Sequence, residues 1–307
     1  MSQTSHNPAL NAAPQSPNVG LLAGIAAYTM WGFFPFYFKA TADVSPLEIL
    51  VHRVVWSVPF AFLLILLRRQ LPALKIGLSN IHVLKWLSVS SFFIALNWGI
   101  YIWAIQIDQI FQASLGYYIN PLMYVIVGVV FFKEKLSKLQ GIAIAMAAVG
   151  VTVLTLYGGV FPWISLLLAI SFTVYGVVRK QVEIGAIPGL LIETLLLLLP
   201  ALAYGYYLYQ SGSMVFGQGN QALNNLLFLA GPLTVLPLLC FAVAARKLRL
   251  STLGILQYIG PTLQFCCGLY FGETFTAAHA ICFTLIWLAV ALFSWNAWKI
   301  RPRNVPV

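Results

Sequence analysis

The sequence predicts an all-α polytopic membrane protein: ten transmembrane helices in two inverted five-helix repeats, with both termini on the cytoplasmic side. Three observations lead there. Of 307 residues, 61% are hydrophobic and 8% charged, whereas a water-soluble domain carries about 25% charged residues, so lipid must cover most of the surface. The apolar residues fall in ten segments separated by charges, Gly/Pro clusters or polar turns, most of them near the roughly 20 residues that span a bilayer. One motif also occurs twice. Tyr118-Ile119-Asn120-Pro121 is echoed by Tyr258-Ile259-Gly260-Pro261 at an offset of 140. In each copy a Gly stands seven residues after the Pro, at Gly128 and Gly268, and an acid closes the run, at Glu134 and Glu273.

In chain order, the spans of the first repeat (residues 19–157) are predicted at 19–38, 46–67, 83–107, 110–132 and 139–157. Those of the second repeat (158–299) are predicted at 161–178, 188–209, 223–244, 250–271 and 277–298. Residues 1–18 are polar, hold three prolines and lack Lys and Arg. That is not the charged start of a signal peptide, and the segment reads as a disordered cytoplasmic tail. Residues 300–307 read as a cytoplasmic C-terminal tail. Two further echoes support a duplication. Tyr28-Thr29-Met30-Trp31-Gly32 resembles Phe172-Thr173-Val174-Tyr175-Gly176 at an offset of 144, and Pro46 and Pro59 are matched by Pro188 and Pro200.

Charge sets the orientation. Fifteen of the 17 Lys and Arg residues lie on one side, in the connections after spans 2, 4, 6 and 8 and at the C-terminus, Arg179 and Lys180 among them. Lys39 is alone on the other side, and Arg53 lies within a span. Basic connections stay in the cytoplasm. The net charge of +10 is therefore an orientation signal and a lipid-head-group contact rather than a nucleic-acid surface. An odd number of spans per repeat brings the second copy in upside down, the arrangement that lets two halves exchange conformations around a central site. The four cysteines, Cys240, Cys266, Cys267 and Cys282, sit in apolar runs without His at ligand spacing, so no metal, structural disulfide or cofactor is expected.

Arg53 is the strongest candidate site residue. It lies seven residues inside Pro46, about 10 Å along a helix, where a charge costs about 2.5–3.5 kcal/mol even on lenient insertion scales. It either faces a cavity and an anionic group there, or snorkels or pairs with Glu48. Glu193 is the acid placed deepest in a span and is the candidate for proton coupling, with His52 second. Its alternative is an interfacial position at a later helix start. A set of aromatic and polar residues could wall a solute site: Trp31; Asn97, Trp98 and Tyr101; Tyr117, Tyr118 and Asn120; and Gln257, Tyr258 and Gln264. The alternative for each is interhelical hydrogen bonding and packing. Pro121, Gly260 and Pro261 are the candidate hinges, since Gly and Pro loosen a membrane helix where bending is wanted.

These residues also carry a resemblance. Trp31-Gly32 with Pro35, Tyr37 and Lys39, and Glu48 with His52-Arg53 and Trp56-Ser57, begin it. Asn97-Trp98 with Tyr101 and Trp103-Ala104, Leu115-Gly116-Tyr117, Ile119-Asn120-Pro121-Leu122, Glu134, Leu139-Gln140, and Gln257-Tyr258-Ile259 with Pro261-Thr262 continue it. Together they resemble the EamA branch of the drug/metabolite transporter superfamily, specifically the RarD-like proteins. The first repeat ends its fourth span in Lys133-Glu134 where EamA repeats typically have Gly-Glu, and Gly141 stands where an aromatic residue is expected. The resemblance implies a multi-pass secondary transporter of the cell inner membrane, with a small organic metabolite or drug as its partner and cargo. Alternating access and outward transport are expected. No Gly-rich Lys-Ser/Thr loop for nucleotide exists in the chain. A membrane-embedded lipid-modifying enzyme would need clustered acids, whereas the seven acids are scattered. A passive channel would need a continuous polar stripe. Oligomeric state is not legible.

Overall fold

The computed structural model describes residues 17–299 apart from 134, 136, 160 and 249. Glu134 and the two predicted tails, save Pro17 and Asn18, lie outside the described residues. The described residues form thirteen helices. The first predicted span is two pieces, α1 (Pro17–Gly32) and α2 (Phe34–Ala40), broken where Pro35 enters the first turn of α2. Ser45 caps α3 (Pro46–Leu67) by accepting from Glu48 N at 3.2 Å. A short helix the sequence reading did not anticipate, α4 (Leu71–Ser79), precedes α5 (Ile81–Gln106), which Asn80 caps. Then come α6 (Ile110–Phe132), α7 (Lys138–Gly158) with a Ser137/Gln140 capping box, and α8 (Trp163–Lys180). The remainder are α9 (Ala186–Gln210), α10 (Gln221–Lys247), α11 (Leu250–Leu256), α12 (Ile259–Tyr270) and α13 (Ala277–Lys299).

Nine helical stretches among the described residues are long and apolar enough to cross a membrane. The sequence predicts ten spans; the difference lies at the predicted ninth. The predicted ninth span, 250–271, is broken at Gln257 and Tyr258 into α11 and α12. Pro261 has no N–H for the Gln257 carbonyl four residues earlier and its ring crowds that carbonyl. The matching Pro121 sits inside an unbroken α6. The copies differ at the residue before the proline, Asn120 against Gly260, and glycine is the poorer helix former, by roughly a few tenths of a kcal/mol relative to asparagine. Gly254 adds a second weak point in α11.

Packing between the halves maps onto itself when the halves are exchanged. α1 packs on α10 as α8 packs on α5, and α1 on α12 as α8 on α6. The pairs α3 with α9, α6 with α12, and α7 with α13 each join a helix to its own counterpart. Small residues permit the closest crossings. Gly231 of α10 lies flat on α3, and a Cβ there would collide with the Trp56 carbonyl. Gly231→Ala should therefore cost about 1–3 kcal/mol by overpacking, read as a lower melting temperature in detergent. An unchanged melting temperature would show that this crossing can slide apart.

One face of the bundle is tied shut by acids. Lys39 at the end of α2 pairs with Asp108 in the α5–α6 turn. Glu48 of α3 accepts from Val215 N at 2.8 Å and Phe216 N at 3.0 Å, clasping the connection 211–220. Glu273, in the connection 271–276, accepts from Phe111 N at the start of α6 at 3.0 Å. Burial pushes the Glu273 carboxyl from 4.5 up to about 7. Between those two values the folded protein holds more protons than the unfolded chain, so stability falls as pH rises across the window. Glu273→Gln should flatten the melting temperature between about pH 4.5 and 7. A pH profile identical to that of the native protein would contradict the burial.

Candidate solute-binding cavity

Arg53 sits at mid-span on α3, with only 4% of its surface exposed. Its Nε donates to Thr234 Oγ1 of α10 at 3.1 Å, and Thr234 has already given its own proton to Ala230 O. The guanidinium lies 4.3 Å from the Trp98 ring centroid, with Phe34 and Phe38 at 5.9 and 5.8 Å. Among the described residues no carboxylate comes within ion-pairing distance of it. Glu48, the partner weighed from the sequence, is instead committed to the 211–220 backbone and lies 3.9 Å from His52 Nε2.

A hydrogen-bonded wall stands beside the cation. Asn97 of α5 donates through Nδ2 to Leu168 O and Ser171 Oγ of α8, each at 3.0 Å, and its Oδ1 accepts from the Tyr117 hydroxyl at 3.1 Å. Tyr101, one turn after Asn97, packs on Phe38 and Tyr117. Gln264 of α12 donates to Trp31 O at 3.2 Å. The side-chain oxygens of Asn120 and Gln264 and the Tyr101 hydroxyl are buried without a partner among the described residues. Arg53, Trp31, Asn97, Trp98, Tyr101, Tyr117, Asn120, Gln257 and Gln264 all line one cavity of about 600 Å³. Gly260 and Pro261 line it too, at the break between α11 and α12.

The same cavity holds a second charged group. Glu193 lies in the third turn of α9, which starts at Ala186 rather than later, and is 2% exposed. Arg179 Nε reaches its Oε1 at 3.3 Å, and the Ser90 hydroxyl of α5 donates to the same oxygen at 2.6 Å. Arg179 crosses α9 over Gly189, where a Cβ would displace it. This corrects the reading of Arg179 as a loop residue that only orients the chain: its side chain turns inward, because a buried carboxylate without a cation is costly. The signal was present in Glu193 itself, which needed a partner. The sequence reading also missed Tyr175, Tyr28, Thr234 and Phe241 as lining residues.

Four predicted residues lie elsewhere. The Tyr118 hydroxyl meets Thr262 Oγ1 at 2.7 Å, while its ring stacks on Tyr258 and packs against Phe283 and Trp287 of α13. Tyr118 and Tyr258 thus tie α6, α12 and α13 together outside the cavity. His52 accepts from Trp56 Nε1 at 3.0 Å and faces Phe216, toward the clasped connection. Pro121 is within α6 and is not among the lining residues.

Sequence comparison adds the family to this geometry. The EamA-like transporter family model matches residues 18–156. An uncharacterized transporter of Vibrio cholerae is 44% identical, covering 93% of this chain and 95% of that protein. Protein RarD of Escherichia coli is 42% identical over 93% of this chain and 97% of its own length. The chain belongs to the EamA-like transporter family. It is a RarD-like member of it, and hence a multi-pass membrane transporter. A Pseudomonas aeruginosa relative bearing the name chloramphenicol-sensitive protein RarD is 34% identical over 93% of this chain. A solved crystal structure with 18% identity covers 93% of this chain at a TM-score of 0.59, a likeness of fold. The cavity is lined by residues from both halves of the chain.

Proposed function

We propose that this protein is a secondary transporter of the cell inner membrane that carries a small organic solute outward by alternating access, with Arg53 facing the anionic group of the solute. The observation that carries this reading is Arg53 itself. It is a buried guanidinium, stacked on Trp98, with no carboxylate of the described chain to neutralise it. Such a charge is retained where a ligand completes it. Trp31, Asn97, Tyr101, Tyr117, Asn120, Gln257 and Gln264 supply the aromatic walls and polar anchors.

In this reading residues 19–157 and 158–299 are inverted repeats of five crossings each, α11 and α12 together making the tenth, and both termini lie in the cytoplasm. The exchange symmetry of the packing and the one-sided basic residues support it. The cavity extends to Ile184, Ala186 and Ile187 in and beside the α8–α9 connection, on the basic side, while the acid clasps close the other side. That corresponds to a cytoplasm-facing state. Opening outward requires bending, for which Gly260-Pro261 and Pro121 are the hinges.

Two measurements test the reading. Melting of the purified protein against a metabolite library, repeated with Arg53→Ala, should yield solutes that stabilise the native protein and not the variant; stabilisation that persists in Arg53→Ala would return Arg53 to a structural role. Labelled solute should then show saturable counterflow in proteoliposomes, where a channel would not. Proton coupling is assigned to Glu193, which lines the cavity, in preference to His52, which does not. Glu193→Gln should lose the pH dependence of transport, and an unchanged profile would remove the assignment.

A further inference from the structure

The charge count inside the cavity narrows the cargo further. Three charged residues line it among the described residues: Arg53, Arg179 and Glu193. With Glu193 ionised and held by Arg179 and Ser90, the state in which the solute is bound, the cavity keeps one uncompensated positive charge, at Arg53. We propose, on the basis of the Arg53 reading above, that the transported solute is an organic monoanion with a flat apolar body and without an ammonium group. One negative charge brings the closed cavity to neutrality. A zwitterion would leave the positive charge of Arg53 uncancelled overall and bring in an ammonium with no free carboxylate to receive it. A dianion would overshoot by one. Net charge sealed in a low-dielectric interior is costly, so the loaded carrier moves most readily when neutral.

The rest of the wall agrees with this count. Tyr28, Trp31 and Phe241 pack ring to ring at 5.5–6.1 Å. Trp31 and Trp98, the latter with Arg53 over its ring, give the cavity an aromatic wall suited to a planar body. The buried side-chain oxygens of Asn120 and Gln264, without a partner among the described residues, are neutral and supply no charge against an ammonium.

A matched set of probes on one phenylpropyl skeleton tests this: 3-phenylpropionate, phenylalanine, phenylsuccinate and 3-phenylpropanamide, carrying respectively one negative charge, both charges, two negative charges and none. Binding is measured by titration calorimetry on the full-length protein in detergent at neutral pH. 3-Phenylpropionate should bind at least about tenfold more tightly than each of the others. In Arg53→Gln the acid and the amide should fall within about twofold of each other, with unchanged melting of the empty variant showing that it folds. Should that variant misfold, Arg53→Lys keeps the charge and should keep the order. Glu193→Gln, which frees Arg179, should shift the preference toward phenylsuccinate, an effect that loss of packing alone would not produce. Phenylalanine binding as tightly as the monoacid, and still depending on Arg53, would overturn the monoanion while leaving Arg53 as the anion site. Equal binding of acid and amide to the native protein would overturn both readings. Binding of none of the four would overturn the flat-bodied monoanion and leave the cavity with another cargo.

Discussion

Replacing Arg53 by Gln should weaken binding of the solute by about a hundredfold and leave the melting temperature of the empty protein nearly unchanged. The two halves of this expectation have separate causes. Truncating one member of a buried, hydrogen-bonded charge pair costs about 2–5 kcal/mol, and a hundredfold in affinity is about 2.8 kcal/mol. In the empty protein the balance is different. The cation costs about 2.5–3.5 kcal/mol to place mid-membrane, offset by about 2 kcal/mol for the desolvated stacking on an aromatic ring and about 1.5 kcal/mol for a charged hydrogen bond. Here those offsets are the Trp98 face at 4.3 Å and Thr234 at 3.1 Å. Removing terms that nearly cancel changes little. Differential melting and calorimetry on the same preparation read both. A variant that unfolds would make Arg53 a structural keystone, and one that binds as before would remove it from the site.

Breaking the Arg179–Glu193 pair should do the opposite, costing stability first. Glu193 is 2% exposed and Arg179 is its cation at 3.3 Å. Removing one member of a buried pair leaves the other uncompensated, at about 3–5 kcal/mol for full burial. The Arg179 side chain keeps 15% of its surface, so about 3 kcal/mol is the expected loss for Glu193→Gln, and at least about as much for Arg179→Gln, which leaves the more deeply buried carboxylate with Ser90 but without its cation. The double variant Arg179→Met/Glu193→Met should recover most of it, since apolar residues of similar volume replace buried pairs at little cost. Two single losses that simply add in the double variant would show that the groups do not interact. The contrast with Arg53 is the informative part. Three charges line one cavity, and only the unpaired one is expected to be dispensable for the fold.

Much of this was readable along the chain. Lipid solvation followed from 8% charged residues, and the proposed orientation and duplication rest on the 15 basic residues of one side and on the Tyr-Ile-x-Pro echo. The position of Arg53 in the second span marked it as a group in need of a partner, because no neighbour in sequence can neutralise a charge at that depth. Which side chains face each other was decided by tertiary packing alone. In lipid a helix is apolar on its outer face and on its packed face, so periodicity does not tell inside from outside. Tyr117 and Tyr118 are adjacent in sequence and equally polar, yet only packing turns the first to the cavity and the second to α13. Arg179 read as a loop charge until Glu193, 14 residues on, drew it inward across Gly189. The break at Gln257-Tyr258 depended on Gly260 tipping a proline that α6 tolerates in its other copy. A sequence records what each residue needs, whereas the folded bundle determines which neighbour meets that need, because the partners lie on different helices.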